Sequence, residues 1–237
     1  RGAGSAGGGG RAVGSPGASV SGFPRVVPFG ESAFLVELGS GVDADVNAHV
    51  HALAQRLDGG VDRLPIGRTV PAYASLLVPF FGAADTVELE ARLAQLAGEA
   101  VTTAPPVDGR LVEIPVMYGY GDGPDLDEVA SATGISPDSV IDLHAAGTYR
   151  VYMLGFAPGF AYLGPLPEVL RIQRRVEPRV RVPAGSVAIA GAQTAVYPHV
   201  TPGGWHLIGR TDMMLWDPTA DEPARLRPGD RVRFVPA

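Results

Sequence analysis

The chain has 237 residues, 46% apolar and 19% charged, with a formal net charge of −6. That composition suits one large folded domain or two of ordinary size and excludes wholesale disorder. There is no cysteine, and all nineteen Lys+Arg positions are arginine, which removes disulfides, thiolate nucleophiles, Cys-ligated zinc, a Walker A lysine, a Schiff base and a biotinyl-lysine.

The first twenty residues are rich in Gly, Ala and Ser, so 1–21 is expected to be a disordered tail. No basic-then-apolar leader follows Arg1, and a cytoplasmic location is expected. Ala33 to Leu38 reads as a strand. Val42, Val46, Val50, Leu53 and Leu57 then recur at helical spacing until Gly59 and Gly60. Strands are expected at Val61 to Ile66 and at Ala74 to Phe81, and a helix after the Asp85/Glu88 capping-box spacing. The longest apolar stretch, Ala72 to Ala84, is broken by Ser75 and Pro79 and is too short to cross a membrane. With a short final strand near Val101, this order predicts a small α/β sandwich of ferredoxin-like type over 22–103. Thr102 to Asp108, with Pro105 and Pro106, marks a linker, placed at 104–109.

Residues 110–237 read as a β-barrel. Short β-rich segments at Leu111–Met117, Tyr149–Leu154, Val187–Ala190, Thr194–Tyr197, Trp205–Gly209, Met213–Trp216 and Arg231–Val235 are separated by Gly/Pro turns. Two short helices interrupt them between Pro124 and Gly147, with Pro124 and Pro137 in first turns, Ser136 as a cap, and Gly134 and Gly147 as stops. These helices imitate a helix-turn-helix, but the segment has five acids and no arginine, which opposes nucleic-acid binding. Asp122, Asp125, Asp127 and Glu128 miss the EF-hand order and read as a solvated helix N-terminus. His49 and His51, two apart on a helix, point to nearly opposite sides and do not form a metal pair. No bound metal is expected.

Three segments carry chemistry. Arg171, Arg174, Arg175, Arg179 and Arg181 place five guanidinium groups in eleven residues, suited to bidentate capture of carboxylate or phosphate. Gly155 to Gly164 interleaves Phe156, Phe160 and Tyr162 with Gly and Pro, as a barrel plug or a wall for a ligand or for a neighbouring protein. Gln193, Thr194, Trp205 and His206 add amide, hydroxyl, indole and imidazole groups on successive turns.

The stretches YRVYMLGFAPGFAYLG (Tyr149 to Gly164), RVPAGSVAIAG (Arg181 to Gly191), QTAVYP (Gln193 to Pro198) and TPGGWHLIGRT (Thr201 to Thr211) resemble the bacterial 5-oxoprolinase B-subunit family. That family has long been labelled allophanate hydrolase subunit 1, and it includes the sporulation-kinase inhibitor KipI. The family pattern has Gly where this chain has Ala192 and Ala195. The resemblance implies a small N-terminal α/β domain and a C-terminal cyclophilin-like β-barrel, similar to half of a urea carboxylase carboxyltransferase domain. It implies a component of a hetero-oligomeric 5-oxoprolinase that, with partners resembling the A and C subunits, uses ATP as co-substrate to open the lactam of 5-oxoproline to glutamate. Transferred to this chain, Gln193 and His206 are the expected catalytic pair. Arg179, Thr194, Phe156, Phe160, Tyr162 and Trp205 are the expected substrate-binding residues. A kinase-inhibiting module and a biotin-dependent carboxyltransferase half remain as alternatives.

Overall fold

The computed structural model describes residues 22–60, 62–82, 84–103 and 109–237. The tail expected at 1–21 and the 104–108 portion of the linker lie outside the described residues.

The N-terminal elements are β1 (Arg25–Pro28), β2 (Ala33–Glu37), α1 (Ala44–Asp58), β3 (Val70–Pro71), β4 (Ser75–Pro79) and α2 (Thr86–Thr103). They build an antiparallel sheet of order β1-β2-β4-β3. The α1 start is fixed by Asp43, whose Oδ1 accepts from the Asp45 and Val46 N–H groups, both at 2.9 Å. Asp85 does the same for Val87 and Glu88 ahead of α2. Phe34, Val36, Leu76 and Val78 from the sheet meet Val50, Leu53, Leu93 and Leu96 from the helices in one buried cluster.

Two expectations fail here. Val101 lies inside α2, and the sheet position beside β2 is filled by β1, which precedes it in the chain. The strand expected at Val61–Ile66 does not form over its described residues, 62–66. Arg63 adopts φ 51° and only Ile66 forms a single bridge, to Phe80, so the strand pairing with β4 falls at Val70–Pro71.

The remaining elements are β5 (Leu111–Tyr118), α3 (Leu126–Thr133), α4 (Pro137–Ala146), β6 (Tyr149–Leu154), β7 (Ala161–Gly164), β8 (Arg179–Val182), β9 (Ser186–Ala190), β10 (Gln193–Val196), β11 (Thr201–Gly203), β12 (His206–Arg210) and β13 (Arg231–Pro236). Seven strands close a barrel in the order β10-β7-β6-β13-β5-β12-β9, while β8 and β11 pair separately. The β13–β5 pair is parallel and the other barrel pairs are antiparallel. Met213–Trp216 is not a strand; only Trp216 bridges, to Ala224. Ser136 caps α4 through its Oγ to the Ser139 N–H, and Gly134 ends α3 at φ 72°. Pro124 falls before the α3 cap position, Asp125, rather than in the first turn.

Alternation divides the barrel wall into two faces. Ile114, Val116, Tyr149, Val151, Leu163, Val187, Ile189, Val196, Ile208, Val232 and Phe234 fill the interior with help from α3 and α4. Phe160, Ala188, Ala190, Ala195, Tyr197, Trp205 and Leu207 make a second buried cluster on the outer face of β7, β9, β10 and β12. Ala195 is fully buried there in ordinary strand pairing with Ala188. The left-handed backbone of the preceding turn falls on Gly191 at φ 55°, so alanine at 192 and 195 fits.

Candidate functional site

On the outer face, Phe156, Phe160, Tyr162, Tyr197 and Trp205 surround a cavity of about 160 Å³, completed by Arg174, Arg175, Pro178, Gly203 and Gly204. Four of these, Phe156, Phe160, Tyr162 and Trp205, are the walls expected from the sequence. Phe160 is the hub, edge-on to Phe156, Tyr162, Tyr197 and Trp205 at centroid distances of 5.0 to 5.7 Å. Such edge-to-face packing fixes ring orientation as well as burying area. The strand β7 takes up the second half of the Gly155–Gly164 segment; Tyr162 within it and Phe160 just before it turn outward, while Ala161 and Leu163 turn inward. Tyr73, on the turn between β3 and β4, packs its ring on Tyr152 and Tyr162. That turn is clamped by Asn47 of α1, whose Nδ2 donates to the Ala72 and Tyr73 carbonyls.

Phe156 stands at the pocket mouth with φ 67° and 62% of its surface exposed. A bulky side chain in the left-handed region is strained by about 1–3 kcal/mol. Replacing it separates backbone from ring: Phe156→Gly should be more stable than Phe156→Ala by about 1 kcal/mol, although both lose the ring. Urea titration of the two variants checks this; equal stabilities would mean that the position carries no backbone strain.

The polar residues expected as one substrate and catalytic set are distributed over different faces of the barrel. Arg179 enters β8 and turns both terminal nitrogens onto Asp125, at 2.9 and 2.6 Å. Asp125 also accepts from Arg175 Nη1 at 3.2 Å and from the Leu207 N–H at 2.7 Å, and it is only 2% exposed. The expected solvated helix N-terminus is therefore corrected at this residue. The acid at the α3 cap is buried and binds two arginines 50 and 54 positions away. Glu128 takes Arg175 Nη1 at 2.7 Å and lies 3.9 Å from His206 Nδ1. His206 Nε2 donates to the Gln173 carbonyl at 3.0 Å, while Nδ1 is buried without a hydrogen-bond partner. His206 thus sits behind the loop that carries Arg174 and Arg175, on the opposite side of its strand from Trp205.

Gln193 shares the outer side of β10 with Ala195 and Tyr197, and it pairs with Ala190 at the strand start. Thr194 points the other way, fully buried in the barrel interior. Its hydroxyl donates to the Ala188 carbonyl at 3.0 Å and so must accept from His144 Nε2 at 2.9 Å, which leaves His144 Nδ1 to accept from the Tyr118 hydroxyl at 2.7 Å. The expected substrate role of Thr194 is not matched by this placement, because the hydroxyl is enclosed and engaged.

His144, which the sequence did not single out, stacks on Phe234 at 4.5 Å, and burial pushes its pKa from 6.5 down to about 3. The folded state therefore refuses a proton that the unfolded state accepts. This contribution to stability is complete above pH 6.5 and is lost as pH falls toward 3. Burial also lowers His51, whose Nε2 donates to the Tyr152 carbonyl at 2.6 Å, so it adds in the same direction. His144→Gln should flatten the decline of unfolding free energy between about pH 6 and pH 4 by up to about 1.4 kcal/mol per pH unit. An unchanged slope in urea titrations across that window would assign the acid sensitivity elsewhere.

Residues 24–226 match the family model described as carboxyltransferase domain, subdomain C and D. Across 216 residues the chain is 47% identical to the 5-oxoprolinase B subunit of Escherichia coli O157:H7, covering 90% of this chain and 95% of that protein. This chain belongs to the 5-oxoprolinase B-subunit family. A second member, from Bacillus subtilis, is 40% identical over 225 residues, covering 89% of this chain and 92% of its own. Among solved structures, a conserved uncharacterized protein from Pyrococcus horikoshii is 42% identical with a TM-score of 0.53, covering 90% of this chain and 97% of that one. The protein TTHA0988 is 40% identical with a TM-score of 0.72, and this chain, 87% of it aligned, spans only 40% of that longer protein. The Kluyveromyces lactis urea carboxylase shares the fold at a TM-score of 0.75 and 20% identity, over 90% of this chain and 21% of the enzyme. No helix among the described residues is long and apolar enough to cross a membrane.

Proposed function

We propose that this family member is the B subunit of an ATP-dependent 5-oxoprolinase, working in the cytoplasm with partners of the A and C type to open the 5-oxoproline lactam to glutamate. The observation that carries this reading is 47% identity across 95% of a protein named as that component of the enzyme. In this reading the chain divides at 104–109 into a ferredoxin-like α/β unit, whose outer strand comes from the N-terminal side, and a cyclophilin-like barrel.

The chemistry supports a shared task. A lactam carbonyl is a weak electrophile; phosphorylation of its oxygen by ATP gives an activated imidoyl phosphate and ADP, water adds to its carbon, the C–N bond breaks with the nitrogen leaving as the protonated amine, and a second water hydrolyses the resulting acyl phosphate to glutamate and phosphate. The 160 Å³ aromatic cavity is too small for a nucleotide, since pockets for drug-sized ligands start at roughly 300 Å³. The chain also has no lysine for a phosphate contact. In this reading nucleotide handling is assigned to a partner, and the chain alone is expected to be silent.

The test is ADP release by this chain alone and after co-expression with its candidate partners, with and without 5-oxoproline. Substrate-dependent release by the complex only is the expected result. Sustained release by the isolated chain, or ATP hydrolysis by the complex that ignores 5-oxoproline, would overturn the reading.

A further inference from the structure

We infer that the aromatic cavity on the barrel's outer face is a binding site for a small ring bearing one carboxylate, with Arg174 as the residue that receives the charge. The choice of a lactam as the ring rests on the 5-oxoprolinase reading; the preference for a small anion does not.

The charge argument comes from pairing. Arg179 and the Nη1 of Arg175 are neutralised by Asp125 and Glu128, and Arg171 donates its Nε to the Leu166 carbonyl. Arg174 makes no ion pair among the described residues. Its guanidinium lies over the Trp205 ring, 5.8 Å from the centroid, at the edge of the cavity. It is close enough to the Tyr73, Tyr162 and Tyr197 hydroxyls to oppose the rise that burial imposes on each of them. The cavity lining holds two arginines and no acid. An aromatic cage without such neighbours would suit a cation; with the unpaired Arg174 at its edge, a cation is repelled and an anion attracted.

A second observation is independent of net charge. The Nε of Arg175, another lining residue, is buried with no hydrogen-bond partner, and so is the hydroxyl of Tyr73 behind Tyr162. Buried donors without acceptors are uncommon in folded proteins. The Arg175 Nε–H is closed to a water-sized sphere, so it gains an acceptor when the Arg175 side chain turns toward a bound ligand oxygen; the carboxylate itself engages Arg174. Size limits the ligand further: about 160 Å³ between ring faces and edges admits one small ring and excludes long or branched acids. A lactam carrying a carboxylate has both required features, an anionic group and a neutral carbonyl acceptor, on one flat ring.

The walls and both arginines belong to this chain, so the purified chain must bind without partners. Calorimetry would compare 5-oxoproline, its uncharged carboxamide, and cyclopentanecarboxylate, which keeps the charge and loses the lactam. The carboxamide should bind at least about tenfold more weakly than 5-oxoproline. Arg174→Gln should weaken both carboxylates by at least about tenfold, the scale of a lost charge-assisted contact, with an unchanged thermal midpoint. Arg174→Lys, which keeps the charge, should bind both carboxylates more tightly than Arg174→Gln does. No binding by the native chain at any soluble concentration, equal affinity for the carboxamide, or undiminished binding by Arg174→Gln would overturn the site. If Arg174-dependent carboxylate binding is found while the assembled complex fails to hydrolyse ATP in response to 5-oxoproline, the enzyme reading falls and the anion site stands.

Discussion

Asp125→Ala should destabilise the chain by about 3–5 kcal/mol, a cost typical of removing one partner from a buried ion pair. Each of its two carboxylate oxygens accepts two hydrogen bonds: Oδ1 from Arg175 and Arg179, Oδ2 from Arg179 and the Leu207 N–H. Without it, the Arg175 and Arg179 guanidinium groups, on side chains 25% and 26% exposed, are left with Glu128 as the remaining anion, and it pairs with Arg175 alone. Asp125→Asn keeps one acceptor but turns an amide N–H₂ toward an arginine. It should lose less than the alanine variant, and still more than the roughly 1 kcal/mol that bounds an exposed pair. Urea unfolding of both variants measures the loss. A cost under about 1 kcal/mol for Asp125→Ala would mean that the clamp is solvated. Adding Arg179→Met to Asp125→Ala should recover stability, since the stranded charge is the main penalty.

This clamp also shows where sequence reading stops. An acid beside a helix start is ordinarily satisfied by water and the helix dipole, and nothing local distinguishes Asp125 from Asp122 or Asp127. Its partners lie 50, 54 and 82 residues downstream, and only the closed barrel brings them together. The alternation of the barrel strands was legible wherever a run was bounded by turns. It was hidden in β7, where Ala161–Gly164 follows Gly155–Phe156–Ala157–Pro158–Gly159 and reads as one Gly/Pro loop. The aromatic walls were recoverable from composition, because rings beside glycines need something to pack on. Arg174 was not separable from its four neighbours in the run, since which arginines are left without an ion pair, and which of those borders the cavity, depends on where Asp125, Glu128 and Trp205 are placed. The outer strand of the small sheet was missed because a four-residue strand, Arg25–Pro28, offers too short a period to read. The expectation of a strand at Val61–Ile66 failed for a related reason: the segment has β-rich ends, but Arg63 turns the backbone at φ 51°.

Within the reconstituted complex, Gln193→Ala should lower turnover by about 10²-fold, the scale of losing one positioned polar group, with thermal midpoint and assembly unchanged. The Gln193 carboxamide lies on the outer side of β10, outside the lining of the aromatic cavity, and makes no hydrogen bond among the described residues, so its donor and acceptor are free for a substrate or partner group that reaches past that cavity in the assembled complex. His206→Ala should also lower activity, but by another route. Its Nε2–H holds the Gln173 carbonyl, and the Arg175 N–H holds the Gly204 carbonyl at 2.8 Å, so together they anchor both sides of the Arg174 loop over the pocket. Losing the histidine anchor frees Arg174 from its place above Trp205, which should raise KM more than it lowers kcat. His206→Gln separates positioning from proton transfer, because a carboxamide N–H can reach the same carbonyl but cannot exchange a proton near neutral pH. Recovery of KM in His206→Gln would make His206 a positioning residue. A loss of kcat shared equally by His206→Ala and His206→Gln, together with the disappearance of a near-neutral limb from the pH–rate profile, would restore it as the acid–base group and place the reacting atoms behind the loop rather than in the aromatic pocket.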